Sequence, residues 1–180
     1  MLRITIPGGE LLNEATNEFI TAKPQTIQLE HSLVSLAKWE SKWKVPFLSK
    51  KNITIEQTVD YIRCMTVTQN VDPNLYHFVT NENVEQVNAY IGDSMTATWF
   101  SEDEKGKSSR EQITAELIYY WMIALGIPFE CQKWHLNRLL TLIRVCNVKN
   151  TPPKKTSMRQ RYSRNASLNA KRRKALHTRG

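Results

Sequence analysis

The residue types that most often carry chemistry are sparse in this sequence and fall at few useful spacings. Cys131 and His135 are four residues apart, so they could project from one face of a helix as two metal ligands. Zinc needs three or four protein ligands, and a half-buried thiol and imidazole are therefore the favoured interpretation. Glu30 and His31 form an adjacent acid and base, but no nucleophile or second carboxylate stands at a recognisable offset. We predict no metal site and no catalytic site from these residues.

Catalytic and cofactor-binding motifs do not occur either. The sequence lacks G-x-S-x-G, G-x-x-x-x-G-K-[ST], G-x-G-x-x-G and H-E-x-x-H. The acidic run at 102–104 could hold a divalent cation, yet beside Lys105 and Lys107 it is more typical of a solvated loop. We predict that the protein is not an enzyme and that it has no cofactor.

The aromatic residues are stronger candidates for function. Trp39 and Trp43 share a helix face, within a segment at 38–48 whose amphipathic side chains are typical of binding hot spots. The run at 119–122 carries three aromatic residues in mid-helix, which cannot all face one core. For any single tryptophan, core packing remains the more common role. The predicted partner-binding aromatic surface consists of Trp39, Trp43, Phe47, Trp99, Tyr119, Trp121 and Trp134.

The positive charge is concentrated at the C-terminal end. The 180 residues carry a net charge of +8, yet residues 1–148 hold 14 basic and 17 acidic side chains, whereas residues 149–180 hold 11 basic and none acidic. This tail could bind nucleic acid, dock on an acidic protein surface or remain solvated, and a single aromatic residue, Tyr162, disfavours a specific single-strand binder. The predicted anion-binding residues are Lys154, Lys155, Arg159, Arg161, Arg164, Lys171, Arg172, Arg173 and Lys174.

Cysteine content and hydropathy indicate the compartment. Three cysteines without a C-x-x-C pair imply no disulfide framework, which suits a reducing cytosol. The N-terminus has no signal-peptide pattern. The longest apolar stretch, Leu117 to Ile127, is about half of the ~20 residues that a membrane span needs. We expect a soluble intracellular protein with no membrane partner.

Short strands are predicted at the N-terminal end. Residues 2–6 alternate with a period of two, and Pro7-Gly8-Gly9 ends that strand. Residues 19–21 and 26–29 flank Lys23-Pro24-Gln25, a pattern that predicts a hairpin closed by a proline-containing turn.

Helical periodicity follows. The spacing predicts helices over 29–43, from Thr54, over 81–91 with Gly92 as the stop, and over 131–146, with a short turn of helix from Asp72-Pro73 to Phe78. Capping boxes occur at Thr54–Gln57 and Ser108–Glu111, and residues 101–109 are predicted as a loop. In the helix opened by the second box, the core-spaced residues are Ile113, Leu117, Tyr120 or Trp121, and Ala124.

These elements predict a mainly α fold. It is a compact helical bundle of about five helices with a small N-terminal β-hairpin element and a basic C-terminal tail. We divide the chain into a β element at 1–30, a helical bundle at 31–150 and a flexible or partner-ordered tail at 151–180.

Several segments together resemble a known family of small proteins. They are Gln28–Leu33, Lys38–Leu48, Asp60–Met65, Met95–Phe100, Tyr119–Met122 and Ile127–Leu140. The chain is similar over most of its length to the tail assembly chaperones of long-tailed bacteriophages.

The resemblance implies a mostly helical chaperone in the host cytoplasm that coats the apolar, helical tape-measure protein until tail-tube subunits polymerise around it. It implies the tape-measure protein as partner, and the tail-tube subunit as a second one for a longer, frameshifted form. Extensions in this family are often acidic, which this basic tail is not. A virion structural protein, such as a head–tail connector or tail component, and a nucleic-acid-binding protein acting through the tail are the alternatives. A homo-oligomer also stays open.

Overall fold

The computed structural model describes residues 1–13, 17–49, 52–100, 112–151 and 158–177. The chain divides into two units, Met1–Asn147 and Val148–Gly180. It is mostly helical with β-structure at its N-terminal end, so the predicted fold class is confirmed at this level. The predicted loop at 101–109 lies outside the described residues. Within the described part of the chain, no helix is long and apolar enough to cross a membrane.

The N-terminal strands form a long two-stranded ribbon with a break in its middle. Strand β1 (Leu2–Ile6) pairs antiparallel with β4 (Gln25–Leu29), and β2 (Gly9–Asn13) pairs antiparallel with β3 (Glu18–Ala22). Ile6 pairs with Gln25 and Gly9 with Ala22, so both halves share one register and the break places Pro7-Gly8 opposite Lys23-Pro24.

The predicted hairpin closed at Lys23-Pro24-Gln25 is therefore wrong, although its strands exist. Both prolines lack the N–H group that a ladder needs, so together they interrupt the pairing instead of reversing the chain. Gly8 adopts φ +66°, and a Cβ atom there would lie 2.4 Å from the carbonyl oxygen of Ala22. Pro7-Gly8-Gly9 ends β1, as predicted, but the next strand begins at once.

Six α-helices and three short 3-10 helices lie in the described ranges of the chain. The α-helices are α1 (Leu33–Trp43), α2 (Ile55–Met65), α3 (Asn81–Gly92), α4 (Ala115–Ala124), α5 (Leu136–Asn150) and α6 (Met158–Leu176). The 3-10 helices are Phe47–Ser49, Pro73–Phe78 and Phe129–Lys133.

Side-chain caps explain where several helices begin. Thr54 caps α2 in the predicted capping box with Gln57, and Asp72 caps the 3-10 helix at Pro73–Phe78, so both predictions are confirmed. Helix α4 instead begins at Ala115 behind an N-cap at Thr114, and residues 112–114 are not helical. The predicted capping box at Ser108–Glu111 lies outside the described residues. Because the Thr114 side chain accepts the hydrogen bond from the Leu117 N–H, Thr114 and not that box opens α4, and the prediction is wrong in this respect.

Two hydrophobic clusters form the core of Met1–Asn147, and α1 contributes to both. The first joins the β1–β4 half of the ribbon to α1, α2 and α3, with Ile6, Trp39 and Ile62 buried in it. The second joins the start of α1 to α4 and α5, with Leu36, Met122 and Leu139 buried in it. The orientation of α4 is therefore set by the second cluster.

Candidate partner-binding site

Helix α4 has the sequence AELIYYWMIA, which is apolar on every side and carries one charged residue, Glu116. Its inward face consists of Ala115, Ile118 and Met122, all fully buried in the second cluster. A helix that is hydrophobic all round is normally buried all round. Among the described residues, α4 is fully buried on one side, half-buried on its flanks and exposed on the opposite side.

The opposite side of α4 presents apolar side chains to solvent. Tyr120 is 63% exposed, Ile123 is 64% exposed, and Phe129 in the following 3-10 helix is 51% exposed. The half-buried ring of Tyr119 lies 6.4 Å, centroid to centroid, from that of Phe129. We call Tyr119, Tyr120, Ile123 and Phe129 the α4 surface.

A buried carboxylate fixes the start of α4. Glu40, near the end of α1, is 7% exposed. Its Oε2 accepts a hydrogen bond from the backbone N–H of Ala115 at 2.8 Å, and its Oε1 accepts one from the backbone N–H of Phe47 at 2.8 Å. The first of these satisfies an N–H group that the helix itself leaves free, and the negative charge is favourable at a helix N-terminus. Glu40 thus joins α1 to α4 across 75 residues of sequence.

The structure corrects the predicted core positions of α4. Ile113 and Trp121 are half-buried against the second cluster, and Leu117 is half-buried as well. Of the alternatives Tyr120 and Trp121, Trp121 is therefore the one that packs inward, and the expected stripe is wrong at Ala124, which is exposed. Because nearly every residue of this helix is apolar, hydrophobic spacing alone does not distinguish its inward side from its outward side.

Trp39 lies in the core and not on a partner-binding surface. It is fully buried, and its Nε1–H donates to the backbone carbonyl of Gln57 at 2.9 Å. The predicted pairing of Trp39 and Trp43 on one face is confirmed, with ring centroids 6.2 Å apart. That face is turned towards α2, so Trp39 as an exposed anchor is a wrong prediction.

Trp43 and Phe47 are half-buried beside Trp39. The Nε1–H of Trp43 donates to Oδ2 of Asp60 at 2.8 Å, while Lys42 lies 2.5 Å from Oδ1 of the same carboxylate. The Phe47 ring stacks on Tyr61 with centroids 4.1 Å apart. Both side chains already have structural neighbours, and their part in partner binding stays a prediction.

The other predicted aromatic residues differ in exposure. Trp99 is 82% exposed. Trp121 and Trp134 are half-buried against the second cluster, and the guanidinium of Arg138 lies 4.2 Å above the Trp134 ring. The hydroxyl of Tyr119 donates to Oε1 of Gln132 at 2.9 Å. Of the seven predicted residues, Tyr119 is the one that belongs to the α4 surface.

Two histidines meet where the two halves of the core join. His31 and His135 are buried with ring centroids 5.1 Å apart, and Nδ1 of His31 lies 2.6 Å from the Tyr61 hydroxyl. Burial, and secondly the neighbouring His135, lower the pKa of His31 to about 3. Burial also raises the pKa of Tyr61. A neutral imidazole buried in this way serves as a structural hydrogen-bonding group.

His135 is held as a defined tautomer. Its Nδ1 accepts from the backbone N–H of Asn137 at 3.3 Å, so the proton lies on Nε2, which faces the carbonyl oxygen of Tyr90 at 3.1 Å. The described residues contain no group of three potential metal ligands, around Cys131 and His135 or elsewhere. The contact between His31 and His135 is explained by packing of the loop before α1 against the start of α5.

The predicted anion-binding residues fall in two places. Lys154 and Lys155 lie outside the described residues. The other seven are on α6, where every described side chain is exposed. They are Arg159, Arg161, Arg164, Lys171, Arg172, Arg173 and Lys174.

Tyr120, Ile123 and Phe129 are the members of the α4 surface that sequence reasoning missed as binding residues. The sequence did carry a signal for them, because a ten-residue helix with a single charge has more apolar side chains than one inward face can hold.

Comparison of the chain with protein-family models, curated proteins and solved structures finds no match.

Proposed function

We propose that this protein is a non-enzymatic tail assembly chaperone of a long-tailed bacteriophage, which binds the tape-measure protein and keeps it soluble in the host cytoplasm. The observation that supports the proposal is the α4 surface, an apolar helix face left uncovered on a firmly packed helix. The tape-measure protein is proposed as the partner because of the segment resemblance, and the α4 surface is proposed as the site that binds it.

The geometry of the α4 surface suits another helix. Tyr120 and Ile123 are three residues apart, and Tyr119 and Ile123 are four apart, so they form neighbouring ridges on one side of α4. A partner helix with apolar residues at i, i+3, i+4 and i+7 would lay its own stripe along these ridges. The apolar helices of a tape-measure protein are partners of that kind.

The test is co-expression of the full chain with a tape-measure fragment that precipitates when expressed alone. Replacing Tyr120→Ser and Ile123→Ser together removes the two most exposed side chains of the α4 surface and leaves the buried face unchanged. The matched control replaces Phe19→Ser and Ile55→Ser, which are 66% and 84% exposed on β3 and α2.

We expect the wild type and the control to keep the fragment soluble and to co-purify with it, and the α4 double variant to lose both properties. Equal rescue by all three chains would contradict the α4 surface as the binding site. A chaperone of this type leaves the finished particle, so detection of the protein in purified virions by mass spectrometry would favour the alternative of a virion structural protein.

A further inference from the structure

Helix α6 is a continuous, strongly cationic element. Its 19 residues hold seven Lys and Arg residues and no Asp or Glu. At a rise of ~1.5 Å per residue the helix is about 28 Å long. Such a charge density requires either full solvation or an anionic partner.

The cations surround the helix instead of lining one side. At about 100° per residue, the four consecutive cations at 171–174 span about 300° of its circumference, and their side chains are all exposed. Met158, Tyr162 and Leu176 fall within about 40° of one another around the helix. Arg172 and Arg173 stand on either side of that line, each within about 60° of it. Leu168 lies about 120° from Tyr162, so the apolar side chains form no wide face. A helix that lies on a membrane needs an apolar face opposite its charges, which α6 lacks.

A helix with cations on all sides is complementary to a nucleic-acid groove that has phosphates along both of its edges. The major groove of B-DNA is about 12 Å wide and admits an α-helix, so that side chains reach the backbones on both flanks. The major groove of duplex RNA is too deep and narrow for this. Single strands are bound by stacking on several aromatic rings, whereas α6 has one, Tyr162.

We propose that α6 binds double-stranded DNA by lying in the major groove and contacting phosphates on both sides, without reading a sequence. This activity belongs to α6 and is independent of the α4 surface. Seven phosphate contacts set the upper limit for α6, and each contributes about −0.9 to the slope of log affinity against log salt. The slope should therefore approach about −6.

The experiment titrates the full chain against a fluorescent 20-bp DNA duplex of arbitrary sequence at several KCl concentrations. The helix variant combines Lys171→Gln, Arg172→Gln and Arg173→Gln. The control combines Lys23→Gln, Lys38→Gln and Lys133→Gln, which are exposed cations of Met1–Asn147, so that both variants lose the same charge. Circular dichroism establishes that both remain folded.

For the wild type we expect affinity to fall about 4 × 10³-fold between 50 and 200 mM KCl. The helix variant should bind about 10²-fold more weakly at 100 mM, with a slope less steep by about 3. The control should keep most of the affinity. No binding of the wild type at 50 mM, equal loss in both variants, or tighter binding to phosphatidylserine vesicles, polyglutamate or a 20-nucleotide single strand at the same charge concentration would overturn the proposal.

Discussion

Replacing Glu40→Gln should detach the start of α4 from the end of α1. The side chain is buried, and its two oxygens accept hydrogen bonds from the backbone N–H groups of Phe47 and Ala115, each at 2.8 Å. A glutamine has one oxygen, so it can accept from only one of them. Its amide group would then face the second N–H, donor against donor.

The expected cost follows from these contacts. A hydrogen bond to a charged group contributes about 1.5–3 kcal/mol, and a neutral one about 1 kcal/mol. The variant loses one charged bond and converts the other to a neutral one, while relief from burying a charge offsets part of the loss. We expect the free energy of unfolding to fall by about 2–3 kcal/mol.

The assay is urea unfolding followed by tryptophan fluorescence. All five tryptophans lie in Met1–Asn147, so the signal reports on that unit. With an m-value of about 2 kcal/mol/M, the midpoint should fall by more than about 1 M urea. Glu116→Gln is the control, because Glu116 is exposed in the first turn of α4 and its charge contributes about 0.3–1 kcal/mol there. A midpoint for Glu40→Gln within 0.2 M (about the assay's precision) of the wild type, or an equal loss in the control, would refute the reasoning.

Two further perturbations test the ribbon and the buried histidines. Gly8→Ala should lower the free energy of unfolding by about 2 kcal/mol, because φ is +66° and the new Cβ would clash with the carbonyl of Ala22. Gly92→Ala is the control: its new Cβ would have nothing within 4 Å, so it should be neutral or stabilising. Equal urea midpoints for the two variants would contradict this reasoning. The pKa of His31 is about 3 in the folded protein, against 6.5 when unfolded, so the unfolded state binds more protons between these values. The free energy of unfolding should therefore fall as pH drops below about 6.5, by up to about 1.4 kcal/mol per pH unit. His31→Gln should make this pH dependence weaker, whereas the control His77→Gln, at an exposed histidine, should leave it unchanged. Identical slopes in unfolding free energy from pH 7 to 4.5 would show that His31 is not the group responsible.

Local signals predicted part of the fold well. The capping box at Thr54–Gln57 and the Asp72-Pro73 pair identify helix starts because their hydrogen bonds involve residues two or three apart. The mainly helical class follows from periodicity in the same way.

Features that depend on distant residues were not predictable. Pro24 looks like a turn residue until its position opposite Pro7 is known, and that pairing depends on the register of the whole ribbon. The bond between Glu40 and the Ala115 N–H spans 75 residues and has no local signature. Trp39 has the spacing of an exposed anchor, and only the packing of α1 on α2 shows that it is buried.

The α4 surface also required the tertiary structure. Apolar residues lie on all sides of this helix, so its outward face could be identified only after Ile118 and Met122 were placed in the core. The aromatic run at 119–122 indicated surplus apolar side chains but did not show which of them face solvent.

The most direct test of the central claim is the dissociation constant for a purified tape-measure helix fragment, measured by isothermal titration calorimetry. Full burial of one large apolar side chain contributes about 1.5–3 kcal/mol, and Tyr120 and Ile123 are each about two-thirds exposed when free. Tyr120→Ser with Ile123→Ser should therefore weaken binding by about 2–4 kcal/mol, or about 30- to 1000-fold. Phe19→Ser with Ile55→Ser should leave the constant within about twofold, a change of less than about 0.5 kcal/mol. Equal constants for the wild type and the α4 double variant would contradict the account.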